Sequence, residues 1–393
     1  MGLLDRSGQA RVSAAALAAM LMLSPLHAPS FLPAGIDGAV QARELASGSG
    51  SRVNKDPNSL LRLGLPAQPA GIREVQLKVE EAADSVQRLL FTNANQAVGQ
   101  AKGSLKGKSA AILKAVPQGS AQRGAELLAS ITTGVDDLQQ AISTNTVGGA
   151  QFERVLKDIS ALEELIASGY TQPIPPKEFG SLPWLKGRAT VDFVLKRPDG
   201  KFDVDGKLYD KLEMTTIVDG YTAPLTAGNF VDLVQKGFYD GMHVQRSDGF
   251  VVQTGDPTAE GKEGAKNGYV PAGSSSVRKI PLEVYVSGDK QPMYSTTFDD
   301  DGRGGYASAL PFNAYGAMGM AREEYDSDSA SSQWFWLLFD SDLTPAGKNL
   351  LDGRYSCFGY TVDGARLLSD VKEGDVIVSA KVTAGAENLQ NSQ

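Results

Sequence analysis

The chain has 393 residues, 41% of them hydrophobic, which is enough for two domains with separate cores. Its 46 acidic and 38 basic side chains give a net charge of −8, so we expect no nucleic-acid partner, because phosphate binding needs a basic face. One cysteine and two histidines exclude an intrachain disulfide, a thiolate metal cage and a multi-histidine site, and we expect no cofactor.

The N-terminal segment has the pattern of an export signal. Arg6 and Arg11 precede an apolar run, residues 12–23, whose length suits a signal-peptide core better than a membrane span. Small residues follow and end at Val40-Gln41-Ala42, a plausible cleavage site. We therefore predict a signal or targeting segment over residues 1–42 and a protein that is peripheral to a membrane at most. Residues 43–72, rich in Gly, Ser and Pro, are predicted to be a flexible linker.

Residues 73–172 are predicted to form an all-α helical bundle. Apolar side chains recur every three to four positions in four segments, and Pro117 and Gly148-Gly149 separate neighbouring segments. Four amphipathic segments joined by short turns are typical of an up-and-down bundle. Because the stripes are expected to bury one another, we assign no chemistry to this domain.

Residues 181–390 change to strand-like periodicity and are predicted to form a second domain. The segment from Gly237 to Pro257 combines turns with short apolar strands. Val251 and Val252 form an apolar wall beside Gln253, a neutral hydrogen-bonding side chain. An apolar pocket with amide donors around it suits a shallow groove that binds a peptide.

Short blocks of this domain, taken in order, resemble the cyclophilins, a family of peptidyl-prolyl cis-trans isomerases. The blocks are Ala227-Gly228-Asn229-Phe230, Gly249-Phe250 with Gln253, Gly319-Met320-Ala321-Arg322, Ser331-Ser332-Gln333-Trp334-Phe335-Trp336, and Leu350-Leu351-Asp352-Gly353. Together they extend over about residues 188–385. The resemblance implies a multidomain protein in which the all-α bundle precedes an all-β, eight-stranded antiparallel barrel with capping helices.

The resemblance also implies the residues of a proline-binding groove. The resemblance places the catalytic candidates at Gln245, Arg246, Phe250 and Gln253, and of these Phe250 and Gln253 match the residues of the family. Further contacts with the substrate are implied for Val251, Met320, Ala321, Gln333, Phe335, Leu351 and Tyr355. Of these, Met320 and Ala321 match a strand edge whose backbone holds the substrate.

The catalytic donor is the main departure from the family pattern. When the two sequences are aligned on the shared Gly249-Phe250, Gln245 occupies the position of the catalytic arginine of the family. Arg246 is the next residue. Strand alternation predicts that Arg246 faces away from the groove. A glutamine amide is a weaker donor than a guanidinium, and the loss of one preorganised donor costs about 2.7–4 kcal/mol. We therefore expect weak catalysis.

Two functions remain open from the sequence. The first is a peptidyl-prolyl isomerase, and the second is a non-catalytic assembly chaperone that binds proline peptides in a groove regulated by the helical bundle. The export signal, the bundle and the acidic barrel together resemble the large thylakoid-lumen cyclophilins of chloroplasts and cyanobacteria. That resemblance implies a lumenal location, a role in assembly and maintenance of photosystem II, and clients among the lumenal loops of its subunits.

Overall fold

The computed structural model describes residues 53–66, 70–261, 264–339 and 349–390, so the predicted signal segment, residues 1–42, lies outside the described residues. The chain divides into two units: Leu65–Gln172, and a second unit that combines Met1–Gly64 with Pro173–Gln393. Within the described ranges, no helix is both long and apolar enough to cross a bilayer.

The described α-helices are α1 (Pro57–Gly64), α2 (Ala70–Gln87), α3 (Phe91–Ala115), α4 (Ala121–Ser143), α5 (Gly149–Ala167) and α6 (Pro224–Gln235). The described strands are β1 (Trp184–Leu185), β2 (Arg188–Lys196), β3 (Phe202–Val204), β4 (Lys207–Tyr209), β5 (Leu212–Asp219), β6 (Arg246–Ser247), β7 (Val251–Thr254), β8 (Glu283–Val284), β9 (Met293–Tyr294), β10 (Ala317–Met320), β11 (Trp334–Leu337), β12 (Cys357–Asp363), β13 (Val376–Ala384) and β14 (Leu389–Gln390).

Helices α2 to α5 form the predicted bundle. Each helix packs against the next, and α5 packs back against α2. Their apolar stripes meet in one core that includes Val79, Ile131 and Ile159, all fully buried. Helix α2 ends at Gln87, because Leu89 adopts a left-handed conformation (φ 59°), and the Leu89 side chain is exposed.

Eight strands form one antiparallel sheet in the order β13-β2-β5-β12-β10-β11-β7-β6. The sheet curls so that its two ends meet: the N–H of Val244 donates to Asp375 O (2.7 Å), and the N–H of Gly374 donates to Val244 O (2.9 Å). Helix α6 contributes Phe230 to the enclosed core. The predicted barrel is therefore confirmed.

Each strand of this barrel has an inner and an outer face. In β11, Trp334 and Trp336 are fully buried in the enclosed core, whereas Phe335 and Leu337 belong to a second apolar cluster on the outer face. We call this second cluster, which also contains Val251 and Phe312, the outer cluster. Of the candidate groove residues, Val251, Phe335, Leu351, Tyr355 and Ala321 pack in or against this cluster.

Helix α1, which falls within the segment predicted as a linker, packs on the outer face of the barrel. Leu60 and Leu61 are buried in the outer cluster, and Arg188 Nη2 donates to Leu61 O (2.6 Å). The Asp56 carboxylate caps the helix by accepting from the N–H of Ser59 (3.1 Å). Residues 57–64 are thus an ordered part of the barrel unit, because they bury apolar side chains there.

Candidate active site

Three glutamine amides meet on the outer face of the sheet. Gln245 Nε2 and Gln253 Nε2 both donate to Gln333 Oε1, at 2.7 and 3.0 Å. Gln333 Nε2 in turn donates to the side-chain oxygen of Asn267. The structure therefore brings together the three amides that the sequence analysis placed at the groove, and connects them to Asn267, which that analysis missed.

Two consecutive residues oppose Gln253. The N–H of Gln245 donates to Gln253 O (2.9 Å), and Arg246 is the register partner of Gln253 in the β6–β7 ladder. This is the arrangement of a β-bulge, which breaks the alternation of side chains. Since register partners lie on one face, Arg246 stands on the same face as Gln253 and Phe335. The expectation that Arg246 faces away from the groove is therefore wrong.

The guanidinium of Arg246 is held by Asp248. Arg246 Nε donates to Asp248 Oδ2 (2.7 Å), and Asp248 Oδ1 accepts from the N–H groups of Phe250 (3.0 Å) and Val251 (3.1 Å). Burial alone would raise the pKa of Asp248, but these hydrogen bonds and the charge of Arg246 outweigh it and lower the pKa. Asp248 thus stays ionised and fixes both the arginine and the turn that leads into β7.

Phe335 is the centre of the apolar part of the site. Its ring stacks on Phe312 with the centroids 6.0 Å apart, and it meets the ring of Tyr355 edge-on, also at 6.0 Å. Val251 and the half-buried Leu351 belong to the same outer cluster. A side chain at Gly319 would clash with the Phe335 ring, so glycine is needed at that position in β10. Four predicted pocket residues, Val251, Phe335, Leu351 and Tyr355, therefore share one cluster.

Phe250 lies at the edge of this cluster rather than inside it. Its side chain is 37% exposed, and its ring stacks on Phe339 with the planes 9° apart and the centroids 5.4 Å apart. Phe339 itself packs against the outer cluster. Phe250 is therefore the accessible aromatic residue of the predicted pocket.

Met320 and Ala321 take different places. The Met320 side chain belongs to the enclosed core with Trp334, so a side-chain contact with substrate is excluded in this arrangement. The Met320 N–H donates to Ser356 O (3.1 Å), and the Ala321 N–H donates to Gln333 O (3.0 Å). Ala321 packs against the outer cluster. At Met320 only the backbone remains near the groove. The sequence analysis likewise assigned the contact with substrate at this strand edge to the backbone.

Asp352 fixes the backbone at Phe312, a residue of the outer cluster. Its carboxylate accepts from the N–H groups of Phe312 (2.7 Å) and Asn349 (3.2 Å), and the Asn349 side chain donates to Phe312 O (2.8 Å). Burial of the carboxyl group raises the pKa of Asp352 to about 6. Burial also raises the pKa of Tyr355, although the positive charge of Arg322 opposes the effect.

Sequence reasoning missed Asn267, Phe312 and Phe339 as neighbours of the groove. Phe312 and Phe339 lie in irregular segments, where no periodicity reports which way a side chain faces. Asp248 had a usable signal, because Asp-Gly before an apolar strand is typical of a turn whose aspartate accepts backbone N–H groups.

Comparison with known proteins agrees with this fold. The profile of the cyclophilin type peptidyl-prolyl cis-trans isomerases matches residues 208–387, and the profile of a CYP38-like, PsbQ-like domain matches residues 56–167. The chain belongs to the cyclophilin-type peptidyl-prolyl cis-trans isomerase family and carries a PsbQ-like helical domain in front of the barrel.

Two relatives cover most of the chain. The chloroplastic peptidyl-prolyl cis-trans isomerase CYP38 of Arabidopsis thaliana is 40% identical over 86% of this chain and 76% of its own length. A putative thylakoid lumen peptidyl-prolyl cis-trans isomerase of Synechocystis is 40% identical over 86% of this chain and 84% of its own. A solved cyclophilin type isomerase of Cryptosporidium parvum aligns with 50% of this chain and 98% of its own at 19% identity, with a TM-score of 0.33.

Proposed function

We propose that this chain is a peptidyl-prolyl cis-trans isomerase of the thylakoid lumen that helps to assemble and maintain photosystem II, with lumenal loops of photosystem II subunits as clients. The location is supported by the two relatives, one described as chloroplastic and the other as a thylakoid lumen isomerase. The observation that carries the enzymatic proposal is the position of Arg246, opposite Gln253 and on the face that holds Phe335.

The chemistry needs a pocket and a donor. Rotation about the prolyl bond has a barrier of about 18–20 kcal/mol because resonance gives the C–N bond partial double-bond character. As resonance is lost, the prolyl nitrogen gains a lone pair that a positioned donor stabilises. The outer cluster around Phe335 and Val251, with the exposed ring of Phe250 at its edge, provides the apolar surface for the proline ring, and the Arg246 guanidinium provides the donor. Gln253 and Gln333, whose amides are hydrogen-bonded to each other, hold the flanking backbone with their remaining hydrogen-bonding groups.

Gln245 is a weaker candidate for the donor than the sequence alignment suggested. Its Nε2 donates to Gln333, and its Oε1 accepts from the Asp256 N–H (3.0 Å). Both ends of the amide are therefore engaged within the protein. In this proposal Gln245 positions Gln333, and Arg246 contacts the prolyl bond.

The ion pair with Asp248 would weaken catalysis by Arg246. The carboxylate partly neutralises the Arg246 guanidinium and occupies its Nε and Nη2 atoms. A donor that must leave an ion pair to reach the substrate stabilises the transition state less than a free one. We therefore propose that the Arg246–Asp248 pair lowers the rate while it fixes the turn at Phe250.

A protease-coupled assay with proline peptides tests the proposal. We expect Arg246→Gln to lower kcat/KM, but by less than the roughly hundredfold loss typical of one preorganised donor, because the guanidinium must leave Asp248 to reach the substrate. Arg246→Lys should retain part of the rate, and Asp248→Asn should raise the rate, since the amide keeps the acceptor for the backbone N–H groups without the charge. Arg366→Gln, at an exposed arginine after β12, is the matched control. Wild-type turnover by Arg246→Gln would refute the role of Arg246.

The second candidate is a non-catalytic assembly chaperone that binds proline peptides, with the groove regulated by the helical unit. The observation that favours it is the same ion pair between Arg246 and Asp248. Calorimetric titration with peptides from lumenal loops distinguishes the two candidates. A chaperone would bind these peptides while the wild type did not accelerate isomerisation, whereas acceleration by the wild type would exclude a purely non-catalytic role. Acceleration by Asp248→Asn alone would show that the ion pair with Arg246 keeps the wild type inactive.

A further inference from the structure

A second arginine, Arg322, lies beside the pocket and takes no part in the chemistry above. Its Nε donates to Arg354 O (3.0 Å), and its Nη1 donates to Glu323 O (2.8 Å) and Glu324 O (3.0 Å). Three backbone acceptors therefore fix the guanidinium at the start of the loop that follows β10. An arginine held in this way has lost its side-chain freedom before any ligand arrives.

The fixed guanidinium lies next to the pocket wall. Its central carbon is 5.1 Å from the centroid of the Tyr355 ring, within the range of a cation–π contact. The Tyr355 ring is in turn 6.0 Å from the ring of Phe335. Arg322 thus lies one side chain away from the centre of the apolar pocket.

Arg322 differs from the other arginines around Tyr355 in its charge balance. Arg246 forms an ion pair with Asp248, and Arg354 forms one with Asp299 at 2.8 Å. Over residues 53–66, 70–261, 264–339 and 349–390, Arg322 forms no ion pair and its Nη2 makes no hydrogen bond. The pKa of Asp326 is lowered by a hydrogen bond from the Asp328 N–H and also by the charge of Arg322, so that carboxylate already balances part of the charge of the guanidinium. The two N–H groups of Nη2 remain for an external acceptor.

This inference rests on the proposed function and names the substrate class of the same groove. We propose that Arg322 determines specificity by binding the carboxylate of an aspartate or glutamate that flanks the proline of the client. A carboxylate suits the remaining N–H groups of Nη2 best, because a hydrogen bond between a guanidinium and a carboxylate is charge-assisted. The apolar pocket then selects the proline, and Arg322 selects an acidic neighbour.

Glu324 opposes this preference. It lies in the same loop, its side chain is exposed, and its negative charge acts on Tyr355 in the direction opposite to that of Arg322. An acidic client residue is therefore attracted by Arg322 and repelled by Glu324. Substitution of Arg322 should therefore weaken the preference for an acidic residue, and substitution of Glu324 should strengthen it.

The test uses the full chain and a series of proline peptides. Each peptide carries Glu, its neutral isostere Gln, or Lys at one position, either directly before or directly after the proline. Dissociation constants and kcat/KM are measured for each peptide. At one of these positions we expect Glu to be favoured over Gln by about three- to fivefold, the upper range for a partly exposed ion pair, with Lys less favoured than Gln. The preference should shrink as salt screens the charges.

Three variants assign the preference. Arg322→Gln should abolish the advantage of Glu while the Gln peptides bind as before, and Glu324→Gln should increase the advantage. Arg354→Gln, an arginine already paired with Asp299, is the matched control and should leave the preference unchanged. Equal losses for all peptides in Arg322→Gln would show a merely structural role and overturn the inference.

The outcomes also separate this inference from the proposed function. If the wild type binds the Gln peptides but shows no advantage for Glu at any position, the inference fails and the groove remains. If no proline peptide binds at all, the proposed function itself fails.

Discussion

The two faces of β11 carry side chains of similar size with different roles. Trp334 and Trp336 are fully buried in the enclosed core, with their rings 4.3 Å apart. Phe335, between them in sequence, packs with Phe312 and Tyr355 at the groove. The comparison teaches that position on the pleat decides whether an aromatic residue of this strand packs in the enclosed core or in the outer cluster, where the candidate site lies.

The largest expected effect lies on the inner face. Trp336→Ala removes a fully buried ring and should lower the free energy of unfolding by about 3–5 kcal/mol, because a cavity remains in the core. Urea denaturation followed by circular dichroism measures the loss. Tyr325→Ala is the control, since this ring is 94% exposed and its removal should change stability by less than about 0.5 kcal/mol. Equal losses in the two variants would contradict the burial on which the comparison rests.

Two neighbouring valines in β7 allow the two faces of the sheet to be compared with the same type of side chain. Val252 is fully buried in the enclosed core, whereas Val251 belongs to the outer cluster beside Phe335. Val252→Ala should lower the free energy of unfolding by about 2 kcal/mol and leave the KM for proline peptides unchanged. Val251→Ala should raise KM severalfold with a smaller loss of stability.

Denaturation and peptide kinetics on the same two proteins provide the measurement. If Val252→Ala raised KM as much as Val251→Ala, the inner face would contribute to peptide binding and the division between the faces would not hold.

The smallest expected effect concerns the polar support of the outer face. The pKa of Asp352 is raised to about 6, above its ordinary value of 3.8, so the folded state binds this proton more tightly than the unfolded state. The resulting stabilisation is fully present below pH 3.8 and is lost as the pH rises through 6. Between pH 5 and pH 8 the loss should be about 1 kcal/mol.

Urea denaturation across this pH range measures the effect, and Asp352→Asn should remove that part of the pH dependence. Glu373→Gln, at an exposed carboxylate before β13, is the control and should leave the dependence unchanged. A wild-type protein that gained stability from pH 5 to pH 8 by the same amount would contradict the assignment.

Patterns local in sequence predicted much of this structure. The stripes of α2 to α5 have the helical period, and a core between amphipathic helices follows from that period alone. The blocks around Gln253, Gln333 and Phe335 indicated the barrel and a groove on it. These residues do meet, because β7 and β11 pair in a register that places Gln253 opposite Phe335.

Features that depend on register or on distant contacts were not predictable. Counting back from Gly249-Phe250 favoured Gln245 as the donor, but two residues oppose Gln253, and a bulge leaves no mark in a sequence of ordinary residues. The Met320 side chain faces the core because β10 pairs with β11. Helix α1 was hidden in a Gly- and Pro-rich segment, since its stability comes from apolar contacts with strands far along the chain.

The position of α1 constrains the order in which the barrel unit folds. Its apolar residues Leu60 and Leu61 leave the ribosome before every strand of the barrel, yet they pack in the cluster that contains Tyr360 of β12, one of the last strands. Contacts between such distant parts of a chain form late, because loop closure must precede them. During synthesis these leucines therefore lack some of their partners in the outer cluster, and this part of the barrel surface is completed only after the C-terminal strands have formed.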